Sequence, residues 1–203
     1  LTTLNVSGCV NLAELNVNSN TKLQTVDLSN CSAITSFTMA DQTKAYSYFS
    51  SIDLTGCSKL ETLKLNSAGS LESIDFTDLT AIKTIDIGGC QASTGTLDVS
   101  NKSNLKTLKI GALNKVTSLN VSGCTALTEI DALACSKLAT IVGIKDCSAI
   151  TTLMLKGTAI TSLDLNSTNS ELQSLSVENC TSLTNLDLMR STESTTFNSL
   201  TVT

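Results

Sequence analysis

The sequence contains no histidine, no proline and no tryptophan, and its one arginine is Arg190. Without histidine there is no side chain that shuttles protons readily near neutral pH, and no Ser/His/Asp or Cys/His pairing to activate a nucleophile. Without proline the chain suits short strands joined by tight polar turns. Aromatic residues are 3% of the total and the net charge is -5, so there is neither a stacking platform nor a basic stripe for nucleic acid. No apolar run approaches the roughly 20 residues of a membrane-spanning helix, so no membrane insertion is expected. The 41% of apolar residues are chiefly Leu, Ile and Val, which favours a core of many small aliphatic layers.

What is present is an eleven-residue phrase that recurs from end to end: Leu1, Leu4, Val6, Cys9, then Leu12, Leu15, Val17, Asn20, then Leu23, Val26, Leu28, Cys31. The second apolar residue of each phrase marks the centre of a short strand, as at Leu4, Leu15, Val26, Ile52, Leu108 and Leu119. Apolar residues two apart with a polar residue between them, such as Leu4 and Val6 around Asn5, predict a strand with one buried face. A helix would need apolar residues at three-four spacing over several turns, and no segment offers that, so little helix is expected.

Eleven residues are too few for one coil of a leucine-rich solenoid, whose repeats run about 20–29 residues, whereas two phrases make 22. The expected architecture is mostly β: about nine coils of two short parallel strands each, stacked at about 4.8 Å over residues 1–203 as a single domain. Leu1 already occupies a core position, and solenoids need polar caps. The expectation is therefore a segment of a longer exported protein.

The stretch LTTLNVSGCVNLAELNVNSN, with VTSLNVSGC at Val116 to Cys124 and IDLTGC at Ile52 to Cys57, resembles the nested eleven-residue leucine-rich repeats of bacterial surface proteins. The resemblance covers essentially the whole chain and implies a right-handed solenoid and an extracellular or surface-attached location. It is specific for fold and weak for function, because that family holds adhesins and ligand-recognition modules alike.

All eight cysteines fall at the ninth place of a phrase, where such repeats set an inward Asn or Cys. Buried free thiols packing the turns, disulfides between neighbouring coils, and zinc ligands are the three readings. Zinc lacks a Cys-x-x-Cys pair and a histidine, and stacked, in-register cysteines strain a disulfide dihedral. No cofactor or metal is expected.

On the odd-numbered phrases the outward residue between the strand apolars reads Asn5, Asp27, Asp53, Asp75, Asp98, Asn120, Val142, Asp164, Asp187, beside a row of Thr and Ser that begins Thr3, Thr25, Ser51. Stacked carboxylates repel. Either they are solvent-facing and hydrogen-bonded locally, or they hold a cation, or they recognise a basic protein or a sugar. The even phrases place Lys64, Asp86, Lys109 and Asp131 at the same point, in a sequence that suits cross-strand ion pairs.

Three departures from the period stand out. Phe37 and Ile52 are 15 apart, and the excess carries Tyr46, Tyr48 and Phe49. Ile141 to Cys147 holds one residue too many near Gly143, which predicts a bulge. Leu186 and Leu200 are 14 apart. Phe37 and Phe49 are expected to point inward with the tyrosines draped over the insertion; alternatively the tyrosines form a contact surface.

A glycosidase would need paired carboxylates in a cleft, one with a raised pKa, and an open Asp row provides neither, so no catalytic residue is assigned. The expected function is a non-catalytic recognition or adhesion module for a protein or glycan at the cell surface, with Asp27, Asp53, Asp75, Asp98, Tyr46 and Tyr48 as candidate binding residues. The rival is a passive spacer within a multidomain surface protein.

Overall fold

The computed structural model describes residues 1–41, 45–90, 95–165, 171–188 and 199–202. Arg190 and Phe197 lie outside them. The chain divides into two compact units, Leu1–Ser93 and Thr94–Thr203, built on one plan.

In the first unit, β1 (Thr3–Asn5), β3 (Thr25–Asp27) and β5 (Ser51–Asp53) form one parallel sheet, and β2 (Glu14–Asn16), β4 (Ser36–Met39), β6 (Thr62–Leu65) and β7 (Thr84–Asp86) form another. In the second unit, β8 (Gly95–Asp98), β10 (Val116–Asn120) and β12 (Thr140–Val142) form a sheet, with β14 (Ser162–Asp164) and β16 (Asn185–Asp187) as a separate pair. The even phrases there give β9 (Thr107–Lys109), β11 (Glu129–Asp131), β13 (Thr152–Met154), β15 (Ser174–Ser176) and β17 (Ser199–Thr201) in one parallel sheet. Apart from β6 and β7, which follow one another in one sheet, successive strands alternate between odd-phrase and even-phrase sheets, as the 22-residue coil requires.

Register follows the markers. Leu4 faces Val26, which faces Ile52; Leu15 faces Phe37; Leu108 faces Ile130, which faces Leu153; Leu119 faces Ile141. The inward side chains stack into aliphatic columns, and Leu63, Ile85, Leu108, Leu119, Ile130, Leu153 and Leu175 are fully buried. All nine even strands form, but only eight of the nine odd ones, because residues 73–75 around Ile74 are not a strand. Phe76 is buried there, at the place filled by Leu28 and Leu54 in the preceding coils, so its larger ring coincides with the loss of pairing.

The extra residue at Gly143 becomes a single 3-10 turn, Ile144–Asp146, the one helical element among the described residues, where a bulge was expected. Gly143 has φ +77°, and a Cβ on it would fall 2.3 Å from Ser122 Oγ, so both backbone hand and space require glycine. The odd sheet of the second unit ends at β12, beside this turn.

The cysteines are free thiols, seven buried and Cys9 exposed. Each buried thiol reaches back one coil to a strand-end carbonyl: Cys31 Sγ donates to Val6 O at 3.1 Å, Cys57 to Leu28 O at 3.2 Å, Cys124 to Val99 O at 3.1 Å, Cys135 to Ile110 O at 3.0 Å. Val6 O, Leu28 O and Ile110 O also accept the backbone N–H three residues on, from Cys9, Cys31 and Leu113. Thus the thiol supplies a second donor to carbonyls such as Val6 O, Leu28 O and Ile110 O, while Leu155 O, the acceptor of Cys180, also takes the Thr158 hydroxyl. Burial pushes Cys57 and Cys135 up to about 11 and Cys90 and Cys147 up to about 12, so these thiols stay protonated as donors. Lys102 occupies the same column, 9% exposed, a buried cation that the spacing does not announce.

Leu119→Ala should leave a cavity between coils and cost about 2–5 kcal/mol in chemical denaturation; an unchanged midpoint would show that the column is not core. Iodoacetamide at pH 8 should modify native protein at Cys9 and all eight cysteines only after denaturation. Comparable native labelling of Cys57 or Cys90 by mass spectrometry would contradict the buried donor role.

Candidate functional site

At the ends of β1, β3, β5, β8 and β10, and at Asp75 in the coil without a strand, an Asp or Asn side chain folds back on the turn, whereas β12 ends at Val142. Asp27 Oδ1 accepts the Ser29 N–H at 2.9 Å, Asp53 Oδ1 that of Thr55 at 2.9 Å, Asp75 Oδ1 that of Thr77 at 2.8 Å, and Asp98 Oδ1 that of Ser100 at 2.9 Å. Asn5 and Asn120 do the same for Ser7 and Ser122, and Asp131 does so for Leu133 on the even face. This is an Asx turn, in which the side chain replaces the carbonyl that the turning backbone withdraws. The Asp row therefore has a local structural role that its polarity alone did not reveal.

The row is nonetheless a charged column. Asp27 lies directly opposite Asp53, with Asn5 on its other side donating Nδ2 to Asp27 Oδ2 at 3.1 Å. Hydrogen bonds from the Ser29 side chain and backbone hold the Asp27 carboxyl below its usual range, and the Ser100 backbone N–H does most of the same for Asp98, helped by Asn120 and by the Lys102 charge. Asp98 belongs to the second unit, where its register partner is Asn120.

The even face is balanced differently. Lys83 pairs with Glu61 at 2.8 Å, Lys109 with Glu129 at 3.2 Å and Lys156 with Glu178 at 2.7 Å. The register sets Lys64 opposite Asp86 and Lys109 opposite Asp131, as the alternation expects, and the ion pair that Lys109 forms is with Glu129 on the same neighbouring strand. On the odd face the ion pair given by the structure among the described residues is Lys145 with Asp164, which spans the end of the β12 sheet.

The two tyrosines part company. Tyr46 is fully buried and its hydroxyl accepts the Ser19 N–H at 3.2 Å, tying the insertion to an earlier turn. The expectation that it drapes over the surface is corrected, because a four-residue insertion needs its own core anchor. Phe37 and Phe49 point inward as expected, and Tyr48 is 62% exposed.

Two recesses open where odd strands lack a next partner. One, about 340 Å³, is lined by Ser51, Ile52, Asp53, Leu54, Thr55, Asp75, Thr77 and Asp78. The other, about 320 Å³, is lined by Ile141, Gly143, Ile144, Lys145, Ser162, Leu163 and Asp164. At the first recess a carboxylate stands in for the turn carbonyl that earlier coils use, Ser29 O for Gly8 N and Thr55 O for Asn30 N: Asp78 Oδ2 accepts the Gly56 N–H at 2.7 Å. The same exchange occurs between the β10 and β12 coils, outside the second recess, where Asp146 Oδ2 accepts the Gly123 N–H at 2.9 Å. Neither recess was foreseen; Phe76 in an aliphatic column was the available signal for the first, and the insertion at Gly143 for the second. Among the described residues no group of three or more Cys, Asp or Glu side chains is placed to hold a metal ion, and no helix is long and apolar enough to cross a membrane.

Because their folded pKa values are depressed, Asp27 and Asp98 should contribute stability that is present above the ordinary aspartate pKa of 3.8 and lost as pH falls through their lower folded values. Carboxyl-carbon NMR titration should give both midpoints below 3.8. Midpoints at or above that value would remove the Ser29 and Ser100 bonds from the account.

Comparison with known proteins agrees with this geometry. The family of the endo-beta-N-acetylglucosaminidase EndoS LRR domain matches residues 3–90. Among solved structures, the functional domain of InlJ from Listeria monocytogenes, which includes a cysteine ladder, superposes with a TM-score of 0.53 at 22% identity. The match covers 90% of this chain and 45% of that one, so the chain spans less than half of its length. An internalin, InlF, from the same organism gives 0.42 at 15% identity over 93% of this chain and 74% of that one. A leucine-rich repeat protein from Bacteroides ovatus gives 0.33 at 13% identity, over 91% and 63%. No curated protein matches. The coil register and the likeness to the InlJ domain show a leucine-rich-repeat solenoid fold, and residues 3–90 match the EndoS LRR domain family.

Proposed function

We propose that the chain is a non-catalytic recognition module of an exported bacterial protein, acting outside the cell, and that it binds a protein or glycan partner through the odd-row face. The observation that carries this reading is the electrostatic difference between faces. Glu61, Glu129 and Glu178 on the even face each have a lysine, whereas Asp27 and Asp53 stand opposite one another, which costs stability in a parallel ladder. A column kept charged against that cost suits a partner that supplies the opposite charge or hydrogen-bond donors. Asp75 in the same unit, Asp98 in the second unit and the exposed Tyr48 complete the candidate residues, while Tyr46 leaves them because its ring is core.

The spacer reading draws on the Asx turns, which give Asp27, Asp53, Asp75 and Asp98 a structural use without any partner. Asparagine separates the two, since Asn5 and Asn120 already make the same turn. Replacing Asp27, Asp53, Asp75 and Asp98 together by Asn should leave the fold intact and lower binding on arrays of extracellular-matrix proteins and glycans by roughly tenfold or more. Unchanged array binding, or none by the parent protein, would favour the spacer.

A further inference from the structure

Within the first unit the odd sheet ends at β5. β5 pairs with β3 on one side, and on the other the ladder stops, because residues 73–75 do not continue it. In the preceding coils the N–H after each strand donates to the next coil, Val6 to Asp27 O and Leu28 to Asp53 O, both near 3.0 Å. Leu54 holds the equivalent place, at an edge with no next strand. The recess described above lies against this edge and takes its walls from Ser51 to Thr55 on one side and from Asp75, Thr77 and Asp78 on the other. Ile52, the inward residue of β5, is only half-buried, whereas Val26 in the strand before it is 2% exposed.

From this edge we infer that the recess takes an extended basic peptide as an added strand alongside β5, with a lysine or arginine side chain held between Asp53 and Asp75. The inference rests on the recognition reading above and names its partner class. A sheet edge offers alternating backbone donors and acceptors, and an extended peptide is the guest that uses both. About 340 Å³ is at the small end of ligand pockets, room for a short segment. Its charge selects the guest: three carboxylates and no cation line the walls, which disfavours an anion. No aromatic side chain lines them either, so a sugar ring has no stacking face. The carboxylates are not grouped as metal ligands, among the described residues. Asp78 already closes one end through the Gly56 N–H, which confines the guest to residues 51–55.

The test uses an acetylated, amidated pentapeptide of alternating threonine and lysine, its glutamate counterpart, and a version with N-methylated lysines. Binding to the whole chain is followed by amide chemical shifts and calorimetry. The lysine peptide should shift the amides of Ser51 to Thr55. Its affinity should fall about tenfold in Asp53→Asn/Asp75→Asn, with a similar fall on N-methylation or in high salt. The double variant keeps the fold, because asparagine makes the same turn elsewhere in this chain. Equal binding of the glutamate peptide, equal affinity in the double variant, shifts elsewhere, or no binding would each overturn the inference. If the lysine peptide fails while the four-Asn variant still loses its array partners, the edge inference falls and the recognition reading stands. Peptide binding with unchanged array binding would leave the edge and remove the recognition reading.

Discussion

Each coil is held to the next by backbone hydrogen bonds between residues one coil apart, and nearly every other feature follows from that spacing. Val6 N bonds Asp27 O, Ile110 N bonds Asp131 O and Leu155 N bonds Ser176 O, so a carbonyl and an amide a coil apart must meet again and again. A parallel ladder of this kind allows no slip, since a one-residue shift would turn every inward leucine to solvent. It also forces like residues into columns. Leucines gain by this through burial; aspartates lose by it through repulsion; cysteines are neutral in charge and small enough to stack.

The thiol columns answer a local hydrogen-bonding problem that the ladder creates. Strand-end carbonyls point inward and accept one backbone N–H each, and the cysteine of the following coil supplies a second donor without bringing a charge or a large volume into the core. Asn20 and Thr158 handle the same carbonyl from within their own coil, Asn20 Nδ2 to Val17 O at 3.1 Å and Thr158 Oγ1 to Leu155 O at 2.8 Å. Lys102 holds the same place in its phrase and is 9% exposed, and its charge adds to the lowering of the Asp98 pKa. The column demands a compatible inward side chain more than it demands sulfur.

Period and register were legible because they rest on alternation, which a strand imposes directly on sequence. Leu108 opposite Ile130, Asp27 opposite Asp53, the inward Phe37 and Phe49, and the sparse helix all follow from counting. What escaped are outcomes decided between coils. Tyr46 reads as a turn residue by its neighbours, yet its hydroxyl finds Ser19 two turns away and the ring goes inside. Lys109 stands opposite Asp131 as the spacing implies, yet its ammonium reaches Glu129 two residues earlier on the same strand. The missing strand at residues 73–75 lies beside the buried Phe76, a local change that periodicity alone does not register.

The aspartate column joins the two halves of the account, since the same carboxylates that end each strand also charge the odd face. The turn role is local to each coil, whereas the charged column requires Asp27 and Asp53 to sit side by side although 26 residues separate them in sequence. Interstrand nuclear Overhauser effects test that placement most directly. Contacts between the backbone protons of Val26 and Ile52, and between those of Leu108 and Ile130, are the predicted result. Contacts linking Val26 to Phe37 and Leu108 to Leu119 instead would put neighbouring phrases in one sheet, and the 22-residue coil would be wrong.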